Sequence, residues 1–157
     1  MKVKDIMTER VATATPETSL EEIAKMLVTH DCGAIPILKS ENSKKPVGIV
    51  TDRDIVCRVF AVGKDPRGLT AGDCMSSPCV TVTPGTRLDV CCTTMEENRI
   101  RRLVVVDQDG FCCGIVSQAD IARRIADKAG EVVKEVSQPT GSASAVAPRE
   151  EPAEMHH

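Results

Sequence analysis

Apolar residues occur in two patterns along this chain, as short continuous runs and as stripes with helical spacing. The continuous runs are typical of strands that are covered on both faces. They predict four strands: Ala34–Leu38, Val47–Val50, Leu103–Val106 and Cys113–Val116. Two shorter strands are predicted near Arg10–Ala14 and Val80–Thr83, each ending at a Thr-Pro pair that interrupts strand pairing.

The stripes predict four helices. Two of them have apolar residues at positions i, i+3, i+4 and i+7: Leu20, Ile23, Ala24 and Leu27 in the first, and Leu88, Cys91, Cys92 and Met95 in the second. Thr18 with Glu21, and Thr86 with Asp89, resemble capping boxes at the starts of these helices. The other two begin directly after strands, one from Asp52 to about Ala61 and one from Gln118 to about Asp127 or beyond. Together the elements predict an α/β (α+β) fold in which helices cover small sheets.

The same order of elements, βαββα, occurs twice. Asp5 and Asp73 lie at equivalent places in the two copies, 68 positions apart (73 − 5), and Gly48 corresponds to Gly114 after a loop shorter by two residues. The sequence therefore predicts two pseudo-symmetric repeats, 3–62 and 71–130, joined by a linker at 63–70, with clefts between them. The Ser/Ala/Pro/Glu-rich residues 137–157, including His156 and His157, predict a disordered tail.

Composition narrows the function classes. A net charge of −3 gives no general attraction to nucleic acid or to anionic membranes, and two phenylalanines without Trp or Tyr leave few platforms for base stacking. No apolar run approaches the roughly 20 residues that span a bilayer, and the N-terminus shows no signal-peptide pattern. We expect a cytoplasmic protein that binds neither nucleic acid nor membrane.

The eight cysteines fit packing better than metal ligation or disulfides, because the chain has no Cys-x-x-Cys and His30 is its only internal histidine. Six of them align with apolar residues of the other copy and are predicted to be buried: Cys32, Cys74, Cys79, Cys91, Cys92 and Cys113. Cys57 aligns with Arg123 and Cys112 with Pro46, so their roles stay open.

Chemistry is concentrated at two strand-to-helix junctions, Gly48–Asp54 and Gly114–Asp120. In each, a hydroxyl residue is followed three positions later by an aspartate. This arrangement can simply cap a helix by accepting hydrogen bonds from free backbone N–H groups. The same groups could bind a ligand, since the hydroxyl can donate to a phosphate and the carboxylate can accept from a ribose diol.

The ordered set of duplicated motifs resembles a tandem pair of cystathionine-β-synthase-type (CBS) domains, the Bateman module. The motifs are Asp-Ile-Met, Thr-Pro before the first helix, Gly33-Ala34-Ile35-Pro36, and Gly-hydrophobic-hydrophobic-Thr/Ser-x-x-Asp, and the resemblance covers about residues 3–130. It implies that AMP, ADP or ATP binds as a regulatory ligand in clefts between the repeats, with NAD and S-adenosylmethionine as further candidates, and that no cofactor is obligatory. It also implies homodimers and signalling to a protein target.

The resemblance assigns roles to particular residues. Asp54 and Asp120 would bind ribose hydroxyls, while Thr51 and Ser117 would contact phosphate. The remaining cleft residues would be Gly33, Ala34, Ile35, Pro36, Gly48, Ile49, Cys79, Val80, Gly114 and Ile115. Arg101 and Arg102 lie where the family places phosphate-binding cations, and Arg53 is a further candidate. Arg99 is interpreted as part of a solvated surface.

No catalytic or metal site is predicted, because the chain lacks a Walker loop, a Gly-x-Gly-x-x-Gly motif, a Gly-x-Ser-x-Gly elbow and a Ser/His/Asp set. Two hypotheses remain. One is a non-catalytic module that senses adenine nucleotides. The other is a redox-responsive interaction protein that uses Cys57 or Cys112 and has vestigial clefts.

Overall fold

A computed structural model describes residues 1–136; the expected tail, 137–157, lies outside the described residues. The first repeat contains α1 (Leu20–Thr29), β1 (Ala34–Ser40), β2 (Ser43–Thr51) and α2 (Asp52–Ile55), which continues as a π-helical turn, Val56–Phe60. The second contains α3 (Ala71–Cys74), β3 (Thr81–Val82), α4 (Leu88–Asn98), β4 (Arg102–Val106), β5 (Cys112–Ser117) and α5 (Gln118–Val136). A 3-10 turn, Val3–Asp5, opens the chain. The predicted α/β class is confirmed.

Each repeat has its own small sheet. In the first, β1 pairs with β2 in antiparallel orientation; in the second, β4 lies between β3, which is parallel to it, and β5, which is antiparallel. The strand predicted near Arg10–Ala14 is reduced to one bridge between Ala14 and Ile37. Pairing stops there because the next amide, of Thr15, donates to the Thr18 hydroxyl at 3.1 Å instead of to the sheet.

The predicted capping boxes of α1 and α4 are wrong. Ser19 caps α1 by accepting from the Glu22 amide at 3.2 Å, while the Thr18 hydroxyl is used in the preceding turn. Thr86 likewise accepts from the Thr83 amide at 3.0 Å, and α4 begins after Arg87 without a side-chain cap. The hydroxyl residues after each Thr-Pro therefore shape the turn before the helix.

The opening segment of each repeat packs against the other repeat. The Val3 amide donates to the Thr86 carbonyl at 2.8 Å, and Val3 belongs to the second repeat's core. In the matching exchange, the Ala71 amide donates to the Thr18 carbonyl at 2.8 Å, and Ala71 and Cys74 belong to the first repeat's core. This exchange holds the two repeats together and brings Met75 and Ser76 alongside β2.

Burial agrees only partly with the expected roles of the cysteines. Cys74 and Cys91 are buried, and Cys79, Cys92 and Cys113 are half-buried. Cys32 is exposed, contrary to expectation, because it lies in the loop between α1 and β1. Cys57 is exposed and Cys112 is half-buried.

Residues 1–136 contain neither a membrane-spanning helix nor a cluster of potential metal ligands. No helix within residues 1–136 has both the length and the apolar character needed to cross a membrane. Among those residues, no group of three or more His, Cys, Asp and Glu side chains is placed to hold a metal ion.

Candidate functional site

A cavity of about 450 Å³ lies between the repeats. One wall comes from the β2–α2 junction of the first repeat. The opposite wall comes from the second repeat, where α4 ends and β4 begins. The lining residues are Ile49, Thr51, Arg53, Asp54, Arg58, Ser76, Pro78, Val80, Arg99, Ile100, Arg101, Arg102 and Val104.

The β2–α2 junction forms a reciprocal capping box. The Asp54 amide donates to Thr51 Oγ1 at 3.0 Å, and the Thr51 amide donates to Asp54 Oδ2 at 2.9 Å. The capping interpretation of this motif is therefore correct. The cap still leaves two groups free to bind a ligand. The Thr51 hydroxyl only accepts in the cap, so it can donate its own proton, and Asp54 Oδ1 takes no part in the cap.

Asp54 Oδ1 has two partners that sequence reasoning missed. The Ser76 hydroxyl donates to it at 3.2 Å, and Arg58 Nε lies 3.8 Å away. Arg58 had a weak sequence signal, because an acid and an arginine at i and i+4 form a common helical pair. Ser76 had none beyond its alignment with Thr8, because only the exchanged opening segment brings it here.

Arginines give the cavity its charge. Arg101 and Arg102, for which the resemblance implies phosphate binding, line it together with Arg53, the further candidate. Arg102 Nη1 is 3.9 Å from Asp52 Oδ1, and its guanidinium covers Gly33, where an added Cβ would lie 2.1 Å from Nη2. Gly33 therefore leaves room for this arginine.

Arg99 also borders the cavity, so its interpretation as solvated surface alone is incomplete. It ends α4 in the left-handed conformation, with φ at 54°. Arg58 brings the number of arginines around the cavity to five, against the single lining carboxylate of Asp54. The arrangement favours an anionic ligand.

The predicted cleft-lining residues are divided between cavity and core. Ile49 and Val80 line the cavity. Ala34, Ile35 and Pro36 are buried, and Ile35 packs in the first repeat's core, so its interpretation as a cleft residue is wrong. Gly48 and Gly114 are buried where the opening segment of the other repeat crosses their strands, and Cys79 is half-buried outside the cavity lining.

The second junction forms the same capping box, but the carboxylate oxygen outside the box has a different partner. The Asp120 amide donates to Ser117 Oγ at 3.1 Å, and the Ser117 amide donates to Asp120 Oδ2 at 2.9 Å. Asp120 Oδ1 pairs with Arg123, whose side chain is 74% exposed. None of Ser117, Asp120 and Ile115 lines the arginine-rich cavity.

Burial opposes the ionisation of several thiols. Burial raises the pKa of both Cys79 and Cys91 to about 11, with a smaller contribution from a neighbouring thiol in each case. Burial also raises the pKa of Cys112, one of the two residues on which the redox hypothesis depends. A raised pKa lowers the thiolate fraction and hence the reactivity of a cysteine.

Comparison with known proteins gives the same family for both halves of the chain. The family model described as CBS domain matches residues 3–60 and 71–127. CBS domain-containing protein YhcV of Bacillus subtilis is 38% identical over 120 residues, which is 76% of this chain and 82% of that protein. Hypoxic response protein 1 of Mycobacterium tuberculosis is 33% identical over 142 residues, which is 90% of this chain and 97% of that protein.

Solved structures show the same architecture. The CBS domain pair of protein MJ0100, in complex with 5'-methylthioadenosine and S-adenosyl-L-methionine, superposes with a TM-score of 0.73 at 31% identity, covering 82% of this chain and 98% of that one. Hypoxic Response Protein I with two coordinated zinc ions superposes with a TM-score of 0.65 at 33% identity, covering 78% and 98%. The chain belongs to the CBS domain family and contains two CBS domains in tandem.

Proposed function

We propose that this protein is a non-catalytic regulatory module that binds an adenine nucleotide in the cavity between its CBS domains and signals to a protein target. The observation that carries the proposal is the convergence of Thr51 and Asp54 from one repeat with Arg99, Arg101 and Arg102 from the other. A carboxylate that accepts from a diol and guanidinium groups that bind phosphate are the complementary groups for a nucleotide.

The cavity also has an apolar side on which a base could lie. It is formed by Ile49, Pro78, Val80, Ile100 and Val104. The related MJ0100 pair binds two adenosyl compounds, 5'-methylthioadenosine and S-adenosyl-L-methionine. Neither carries a phosphate, whereas five arginines surround this cavity. We therefore favour AMP, ADP or ATP over S-adenosylmethionine, whose sulfonium the arginines would repel.

Homodimers are part of the proposal. The helices retain exposed apolar side chains, with Val56 58% and Ile125 63% exposed, and Ala126 is exposed as well. Exposed apolar patches commonly mark interfaces. Val59 and Ile121 cannot contribute to such an interface, because they are buried in their own repeats.

Calorimetric titration of fully reduced protein tests the nucleotide proposal. We expect saturable binding of AMP and ATP that does not depend on the thiol state, and weaker binding of adenosine. Asp54→Ala should weaken nucleotide binding by roughly 1–3 kcal/mol, because ribose hydroxyls lose a charged acceptor. Replacing Arg101 and Arg102 with Gln should lower the affinity for AMP much more than that for adenosine.

The corresponding change at the second junction, Asp120→Ala, is the matched control for the arginine-rich cavity. Nucleotide binding that is unchanged in both aspartate variants would leave these carboxylates as helix caps. Equal losses for AMP and adenosine in the arginine variant would mean that the arginines act through folding. Absence of saturable nucleotide binding in the reduced protein would favour the redox hypothesis, in which the clefts are vestigial.

A further inference from the structure

Arg58 connects the candidate ribose-binding acid to the chain segment that enters from the second repeat. Its Nη1 donates to the Met75 carbonyl at 2.9 Å and lies 3.3 Å from the Cys74 carbonyl, while its Nε lies 3.8 Å from Asp54 Oδ1. The side chain is 51% exposed, yet its guanidinium is held by the backbone of another segment. Arg58 therefore has a fixed position that does not depend on Asp54.

The backbone that holds Arg58 is itself fixed. The Ser76 amide donates to the Ile49 carbonyl at 2.8 Å, and the Ile49 amide donates to the Ser76 carbonyl at 3.1 Å. This bridge joins Ser76 to β2 at Ile49, two residues before Thr51, where the capping box begins. The Met75 carbonyl is thus a rigid anchor for the arginine.

Asp54 has one oxygen left for a ligand. Oδ2 accepts from the Thr51 amide at 2.9 Å, so a ribose diol would have to use Oδ1. The Asp54 side chain is 13% exposed, and an ionised carboxylate with so little access to water needs a partner for its charge. Arg58 and the Ser76 hydroxyl are the groups in contact with that oxygen.

The second junction lacks this arrangement, although its capping box is the same. Asp120 pairs with Arg123 at i+3, on a regular α-helix, and that arginine is 74% exposed. In the first repeat the helix changes to a π turn at Val56–Phe60, which contains Arg58. π turns within helices are often found at functional sites. The difference singles out Arg58 as a feature of one cleft only.

We propose that Arg58 is a positioning residue for ligand binding: held by the Met75 carbonyl, it orients Asp54 Oδ1 toward the ribose and does not bind the phosphate. This inference rests on the proposed function, because it concerns the same cavity. It makes the affinity of that cavity depend on the crossing segment at Met75, whereas no hydrogen bond from a crossing segment reaches the pair of Asp120 and Arg123 within residues 1–136.

Calorimetric titrations with adenosine and with AMP test the role of Arg58. We expect Arg58→Met to weaken binding of both ligands by the same factor, between about threefold and tenfold, as for other coupled neighbours. Arg58→Lys should recover part of the loss, since an amine can reach one of the two partners. In an Asp54→Asn background, Arg58→Met should cause no further loss. Arg123→Met, the matched change at the second junction, should leave binding in the arginine-rich cavity unchanged.

Each other result would overturn the inference in a recognisable way. A loss confined to AMP would make Arg58 a phosphate ligand, and a full additional loss in the Asp54→Asn background would show that it acts independently of Asp54. Unchanged binding in Arg58→Met would show that Asp54 needs no such partner. If Arg58→Met does not fold, the ratio of AMP affinity to adenosine affinity in Arg58→Lys distinguishes the two roles. A positioning role leaves that ratio unchanged, whereas a phosphate ligand changes it. Absence of binding by the unmodified protein would instead remove the proposed function together with this inference.

Discussion

Gly48 lies where the segment around Met75 crosses β2, and its replacement by alanine tests how the two repeats are joined. A Cβ added at Gly48 would lie 2.8 Å from the Ser76 carbonyl oxygen and 2.8 Å from Met75 Sδ. The methionine side chain can move, but the carbonyl is held by the hydrogen bond from the Ile49 amide at 3.1 Å. Gly48→Ala must therefore shift backbone in one of two packed segments.

The cost can be worked from these contacts. Forcing an extra methyl group into a packed interior costs about 1–3 kcal/mol. The reduced entropy of the unfolded chain offsets about 0.4–1 kcal/mol. We expect a net destabilisation of about 1–2 kcal/mol, or a fall in Tm of about 2–4 °C per kcal/mol for a chain of this size.

Urea denaturation followed by circular dichroism measures this difference, with Gly85→Ala as the matched control. No atom lies within 4 Å of a Cβ built at Gly85, so its replacement should change stability by no more than a few tenths of a kcal/mol. The pseudo-symmetric change, Gly114→Ala, should behave like Gly48→Ala, because its Cβ would lie 2.7 Å from the Thr8 carbonyl. A Gly48→Ala protein as stable as the Gly85→Ala control would refute the close crossing of the opening segments.

Two further predictions concern the thiols and the assembly. Because Cys91 has its pKa raised from 9.0 to about 11 in the folded protein, the unfolded chain loses this proton first as the pH rises, and stability should fall between pH 9 and pH 11. Urea midpoints across that range should fall less steeply in Cys91→Val, and an identical slope would contradict the burial of this thiol. Light scattering of reduced protein should give twice the chain mass of 16.9 kDa, and Ile125→Glu should reduce it to one chain mass. A mass near 16.9 kDa for the unmodified protein would rule out the dimer.

The repeat made much of the fold predictable, because the sequence pattern of each element occurs in both copies. Strands β1, β2, β4 and β5 lie where continuous apolar runs predicted them, and both junction helices begin at the predicted residues, Asp52 and Gln118. Local turn chemistry was less predictable. Thr18 and Thr86 have the spacing of caps, yet their hydroxyls bond backward to Thr15 and Thr83, because a turn and a cap compete for the same side chain.

The exchange of opening segments could not be read from the sequence. Val3 and Ala71 are small apolar residues that either repeat's core could bury, so the apolar pattern is the same whether each segment packs on its own repeat or on the other one. Only the three-dimensional path of the chain determines which repeat buries each opening segment. For the same reason the pattern could place Thr51 and Asp54 together, three residues apart, but could not place Ser76 beside them.

The exchange also explains why the two junctions have different surroundings although their capping boxes match. The cavity takes Thr51 and Asp54 from the first repeat, whereas Ser76 comes from the crossing segment and three arginines come from the second repeat, where α4 ends and β4 begins. A substitution at the end of α4 or the start of β4 therefore changes the arginine-bearing wall of the cavity without altering the junction of Thr51 and Asp54. The second repeat has Arg99, Arg101 and Arg102 where the first has Asp31, Gly33 and Ala34. The two junctions therefore share the same helix cap, while the aligned segments at the starts of β1 and β4 differ in charge.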